Sequence, residues 1–118
     1  MSLYTADLCD EYSDELSVLN ITLNSYGKID MFHGQVVTLK VYEDNSLVKK
    51  ELQSNGKGKV LVVDGGGSRR RALVGDNLAQ YAIDNEWSGI VVYGSIRDST
   101  QINNMEVGIR AVGTCPMK

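Results

Sequence analysis

The chain has little of what several classes of protein require. Its 118 residues include two cysteines, Cys9 and Cys115, near opposite ends and without metal-ligand spacing. Neither a disulfide framework nor a thiolate zinc site is therefore expected, and reduced thiols in a cytoplasmic setting fit better. The single histidine, His33, falls in an expected turn, so Ser95 and Ser99 have no nearby base for a hydrolase triad. The longest apolar runs, 60–63 and 90–93, are the length of strands rather than membrane helices. A secretory signal would begin with basic residues, whereas this N-terminus carries Asp7, Asp10, Glu11, Asp14 and Glu15. Positive charge is not in excess either. Twelve Lys and Arg stand against fifteen Asp and Glu, for a net charge of -3, which argues against nucleic acid as a direct partner.

What is present describes one ordinary globular domain, with 42% hydrophobic residues, a single proline and no internal repeat. Thr5 is placed to cap a helix with Leu8, Tyr12 and Leu16 on its apolar stripe. The five acids from Asp7 to Glu15 then share the opposite face, either solvated or offered to a basic partner. Residues 24–28 read as a turn. Alternation over 35–42 predicts a strand with Val37, Leu39 and Val41 on one side, followed by a capped helix containing Leu47, Val48, Glu51 and Leu52. Residues 55–58 stop that helix.

The run Lys59-Val60-Leu61-Val62-Val63 has no polar interruption, which suits a strand buried on both faces, and it ends in Asp64-Gly65-Gly66-Gly67. Helical period holds from Asn77 to Trp87, and 90–93 is a second buried strand. Strand, helix-containing connection and strand form a βαβ unit with parallel strands. Its ligand loops lie at the carboxyl ends of those strands, at 64–71 and 94–99. A short helix over 99–105 and a last strand over 107–114 complete the reading.

Three features could carry chemistry. The triple glycine lacks the spacing of a dinucleotide or Walker loop, because Arg70 stands where a third glycine is needed and no Gly-Lys-Ser/Thr follows. It reads better as a tight turn. At Gly75-Asp76-Asn77-Leu78, the backbone amides of a helix start can hold a carboxylate, unless Asp76 simply caps its own helix. Arg97-Asp98 is either a surface ion pair or N-cap, or a forked cation beside a hard oxygen ligand for magnesium or manganese. Arg69, Arg70 and Arg71 form a cluster that Asp64 can partly neutralise.

The order and spacing of several segments resemble one family. They are Asp64-Gly65-Gly66-Gly67-Ser68, Arg70-Arg71-Ala72-Leu73, Gly75-Asp76-Asn77-Leu78-Ala79, Asn85-Glu86-Trp87-Ser88-Gly89 and Tyr93-Gly94-Ser95-Ile96-Arg97-Asp98. Asp7-Leu8-Cys9-Asp10, Gly34-Gln35-Val36-Val37-Thr38 and Tyr42-Glu43-Asp44-Asn45 extend the likeness over nearly the whole chain. The family joins regulator of ribonuclease activity A to the class II 4-hydroxy-4-methyl-2-oxoglutarate aldolases. The resemblance implies an α/β fold, a β/β/α swivelling-domain sandwich assembled as a homotrimer with sites between subunits.

For the aldolase branch it implies cleavage of that substrate into two pyruvates and decarboxylation of oxaloacetate through a pyruvate enolate. Matching positions give the amides of Gly75, Asp76, Asn77 and Leu78 the substrate carboxylate, Arg97 the enolate oxygen, Asp98 the divalent cation and Asp76 the water used in proton transfer. The regulator branch binds and inhibits an endoribonuclease, and its best-known members lack the aspartate of the Arg-Asp pair and alter the Gly-Asp-x-Leu stretch. This chain keeps both features, which favours the enzyme. Older family labels name a demethylmenaquinone methyltransferase, the weakest of the three readings. The family also implies strands beyond Lys118 and, in the aldolases, a further carboxylate reaching the neighbour's metal site. Residues 1–118 are accordingly expected to be a single domain lacking those strands.

Overall fold

The computed structural model describes residues 4–118. In chain order the elements are α1 (Thr5–Tyr12), β1 (Asn24–Tyr26), β2 (Gln35–Lys40), α2 (Ser46–Leu52), β3 (Lys59–Asp64), β4 (Ala72–Val74), α3 (Asp76–Asp84), β5 (Gly89–Ile96), α4 (Ser99–Ile102) and β6 (Ile109–Thr114). The strands form one six-stranded sheet in the order β1-β6-β5-β3-β2, with β4 pairing β5 off that path. All pairs are parallel except β1 with β6. The fold is α/β, and β3 and β5 are parallel neighbours, as a βαβ unit requires.

Register explains where the core sits. Val37, Leu61, Ile90, Ile109 and Tyr26 lie side by side across the sheet. Leu61, Ile90 and Ile109 are fully buried there, against Val48 and Leu52 of α2, Ala79 and Ala82 of α3, and Ile102 of α4. Each such aliphatic side chain contributes about 1.5–3 kcal/mol on burial. The next row, Thr38, Val62, Val91, Arg110 and Ser25, points to the other face, and none of its members is buried. Burial of β3 and the 90–93 strand on both faces, expected from the apolar runs, therefore fails at Val62, Val91 and the exposed Tyr93. Helices α2, α3 and α4 cover one face, while on the other Thr5 and Leu8 of α1 line a cavity with Val91 and Arg110. Near the start of β5 the second face is sealed locally by Phe32, whose ring occupies the space a Cβ would need at Gly89 and Gly108.

Other differences from the expected elements are local. Residues 24–26 form a strand rather than a turn, because β6 supplies ladder partners more than eighty residues away; the turn begins at Gly27, with φ +86. The Ala72–Val74 strand, wholly buried, lies between the glycine turn and α3 where no strand was expected. Tyr4, not Thr5, is the N-cap of α1, and the helix stops at Tyr12. Asp14 and Glu15 thus lie in a following turn, and the five acids do not share one helical face. Asp44, not the N-cap Asn45, holds the start of α2, accepting bonds from the Ser46 amide and hydroxyl, both at 3.0 Å. Both cysteines are free thiols.

Candidate active site at the ends of β4 and β5

Two strand ends are stitched together before either helix begins. The glycine turn after β3 folds back, with Gly66 and Gly67 at φ +68 and +71 and the amides of Gly65 and Gly67 both donating to the Tyr93 carbonyl at 3.0 Å. The turn reading of this segment holds. It delivers the chain to β4, which continues beside the second half of β5, Ala72 opposite Ser95 and Val74 opposite Ile96. The Arg97 amide then donates to the Val74 carbonyl at 2.9 Å. Gly75 and Arg97 therefore leave the sheet side by side.

Gly75 is the extended N-cap of α3, and no side chain of its own caps that helix. The Asp76 amide donates instead to Asp98 Oδ2, at 3.2 Å. Asp98, not the side chain of Asp76, is the carboxylate bonded to an amide at the positive end of α3, a position that favours an anion. This overturns self-capping by Asp76. Asp98 adopts left-handed φ 56, ψ 38 as it turns the chain into α4, a conformation aspartate tolerates better than most residues. Its Oδ2 also lies 3.8 Å from Arg97 Nε, with both side chains about one-third exposed, at 34% and 33%. Gly75 leaves room at this meeting point for two side chains. A Cβ there would lie 2.9 Å from Asp98 Oδ2 and 3.2 Å from Arg97 Nε.

The result is a small cleft of about 170 Å³. Gly75, Asp76, Asn77, Leu78 and Arg97 line it, so the structure brings together the residues singled out in the sequence. Asp98 sits immediately behind Gly75. With the Asp76 amide committed to Asp98 and the Ala79 amide bonded to the Gly75 carbonyl at 3.0 Å, Asn77 and Leu78 supply the helix-start amides left for a carboxylate. Asn45 and Lys49 of α2 and Tyr81 of α3 also line the cleft. Sequence reasoning missed these three. Tyr81 was recoverable, since it stands four residues after Asn77 and so shares its helical face. Nothing local ties α2 to α3.

A divalent cation fits the residues present in one way. Among the described residues no group of three or more histidine, cysteine or acidic side chains converges. Asp98 offers Oδ1 while Oδ2 accepts the amide, and one carboxylate completed by waters is a normal magnesium arrangement.

Outside the cleft, Arg70 donates through Nε to Glu43 at 2.6 Å and through Nη2 to the Tyr42 hydroxyl at 2.6 Å. Ser68 Oγ donates to the same Glu43 oxygen at 3.0 Å. Hydrogen bonding and charge from Glu43 raise the Arg70 guanidinium above its ordinary pKa. The partner of the arginine cluster is thus Glu43; Asp64 instead accepts from the Gly66 amide at 2.9 Å. Ser95, fully buried, donates to the Ser68 carbonyl at 3.0 Å and is structural. His33 lies by Phe32 and Arg110 beneath the opposite face, away from this cleft.

Known proteins with this fold carry divergent names. A profile described as RraA-like, Aldolase/RraA, matches residues 5–118, and the chain belongs to that family. A Laribacter hongkongensis relative, provisionally named a 4-hydroxy-4-methyl-2-oxoglutarate aldolase, is 54% identical over 118 residues, covering all of this chain and 74% of its own length. A Vibrio parahaemolyticus protein of the same provisional name is 48% identical over 114 residues, or 97% of this chain and 71% of the relative. Among solved structures, a Geobacillus kaustophilus protein titled an S-adenosylmethionine:2-dimethylmenaquinone methyltransferase superposes with TM-score 0.96 at 50% identity, over 98% of this chain and 72% of that one. The RNA-processing inhibitor RraA from Thermus thermophilus gives TM-score 0.94 at 44% identity, over 100% and 71%.

Proposed function

We propose that this chain is a divalent-cation-dependent carbon–carbon lyase that releases pyruvate from 2-oxo diacids. Its reactions are cleavage of 4-hydroxy-4-methyl-2-oxoglutarate into two pyruvates and decarboxylation of oxaloacetate. The observation that carries the reading is the single turn in which Arg97 and Asp98 leave β5 against the N-terminus of α3. The aldolase names of the relatives support it.

In this mechanism the amides of Asn77 and Leu78 hold the C1 carboxylate, and the bare Gly75 backbone lets it approach. Asp98 would hold magnesium or manganese, which when bound would supply Lewis-acid stabilisation of charge at the 2-oxo oxygen. Arg97 directs its guanidinium to the same oxygen, where negative charge develops. When the C3–C4 bond breaks, its electron pair passes into the C2–C3 bond and the 2-oxo oxygen becomes the enolate. The C4 hydroxyl loses its proton and becomes the carbonyl of one pyruvate; the enolate takes a proton at C3 and becomes the other. Asp76 positions the water that carries the proton. In oxaloacetate the departing carbon leaves as carbon dioxide, and the same protonation follows. The reading also carries the homotrimer expected of the family.

A coupled pyruvate assay on oxaloacetate tests the reading. Turnover should appear with added magnesium or manganese, stop with a chelator and fall to background in Asp98→Ala. Equal turnover with and without chelator would sink it. A second reading, inhibition of an endoribonuclease, is favoured by the 44% identity to the Thermus RNA-processing inhibitor. Direct capture of a purified endoribonuclease by a chain that forms no pyruvate would select that alternative.

A further inference from the structure

Resting on the lyase reading, we infer that Lys49 is the specificity-determining residue that holds the second, distal carboxylate of the substrate. The cleft has two walls of different origin. One is the N-terminus of α3 with Arg97, already assigned to the C1 carboxylate and the 2-oxo oxygen. The other is α2, which contributes Asn45 and Lys49 to the same cleft. A diacid carries a second negative charge, and α2 brings a lysine to the same cleft.

Three observations favour Lys49. Among the described residues its ammonium makes no ion pair or hydrogen bond, so within the cleft it is free to take a ligand. Its backbone is fixed: the Lys49 amide donates to the Asn45 carbonyl at 2.9 Å, and the adjacent Val48 is fully buried, as is Leu52 one turn on. A charge mounted on an anchored helix is placed more reproducibly than one on a loop. Lys118 also lines the cleft, but it lies beyond β6 and follows the exposed Met117. Finally, the cleft, at about 170 Å³, is smaller than the roughly 300–1,000 Å³ that drug-sized ligands occupy, so a short diacid can reach both walls.

The test compares two unreactive 2-oxo acids of equal chain length by calorimetric titration in magnesium: 2-oxoglutarate, with a distal carboxylate, and 2-oxopentanoate, without one. The unaltered chain should bind 2-oxoglutarate about tenfold or more tightly, the scale of one charge-assisted contact. Lys49→Met should erase that preference while leaving 2-oxopentanoate affinity unchanged; Lys49→Arg should retain it, and Lys118→Met should not alter it. The inference is overturned if the unaltered chain shows no preference, if Lys49→Met keeps it, or if Lys118→Met abolishes it. Preference lost in Lys49→Met by a chain that yields no pyruvate would uphold the diacid contact and refute the lyase. Pyruvate formation with the preference intact in Lys49→Met would do the reverse.

Discussion

The two faces of the sheet differ more than the apolar runs of β3 and β5 suggest. On one face Leu61, Val63, Ile90 and Val92 are completely buried beneath α2, α3 and α4. On the other, Val62 and Val91 are half-buried, Tyr93 is 38% exposed and Val36 58%. The lesson concerns the division of labour. The covered face supplies the stability, and the ends of the strands above it, where β4 passes into α3 and β5 into α4, form the candidate site. Neighbouring residues of one strand should therefore respond very differently to the same truncation.

The largest effect is expected in β3. Leu61→Ala should cost about 2–5 kcal/mol through lost burial and a residual cavity, whereas Val62→Ala should cost less than about 1 kcal/mol. Urea denaturation of the two variants measures this contrast, and equal losses would break it. Next comes Gly75→Ala. Its extended φ of -118 accepts alanine, and the atoms it would crowd are side-chain ends of Asp98 and Arg97. Stability should barely change, while pyruvate formation falls by about a hundredfold, as displacement of reacting groups by about 1 Å can do. A large drop in thermal stability with activity kept would contradict this separation. The smallest effect is expected at Arg70→Ala. The Arg70 side chain is 71% exposed, and surface ion pairs contribute little. Thermal unfolding should scarcely move.

Legibility in the sequence followed the range of the interactions. β3, β5 and α3 were readable because their periodicity is local; of the two loops expected at the strand ends, 94–99 reaches the cleft through Arg97, whereas 64–71 does not line it. Asn24–Tyr26 and Ala72–Val74 were not, since three residues cannot display a period and their ladder partners are distant in the chain. At the site, Gly75 to Leu78 and Arg97-Asp98 stood out by residue type. What the sequence could not reveal is that Asp98 caps α3 across twenty-two residues, taking the task open to Asp76. Lys49 and Asn45 were invisible for the same reason, because only the packing of α2 brings them to the cleft. The family resemblance supplied chemical roles that spacing alone left open.

Exchange of the pyruvate methyl protons in heavy water, followed by proton NMR, tests the central claim most directly because it isolates enolate formation from bond cleavage. Deuterium incorporation should need magnesium or manganese, be abolished by chelator, and disappear in Asp98→Ala while the fold remains intact. Exchange that is absent from the unaltered chain under these conditions, or that persists in folded Asp98→Ala, would contradict the claim.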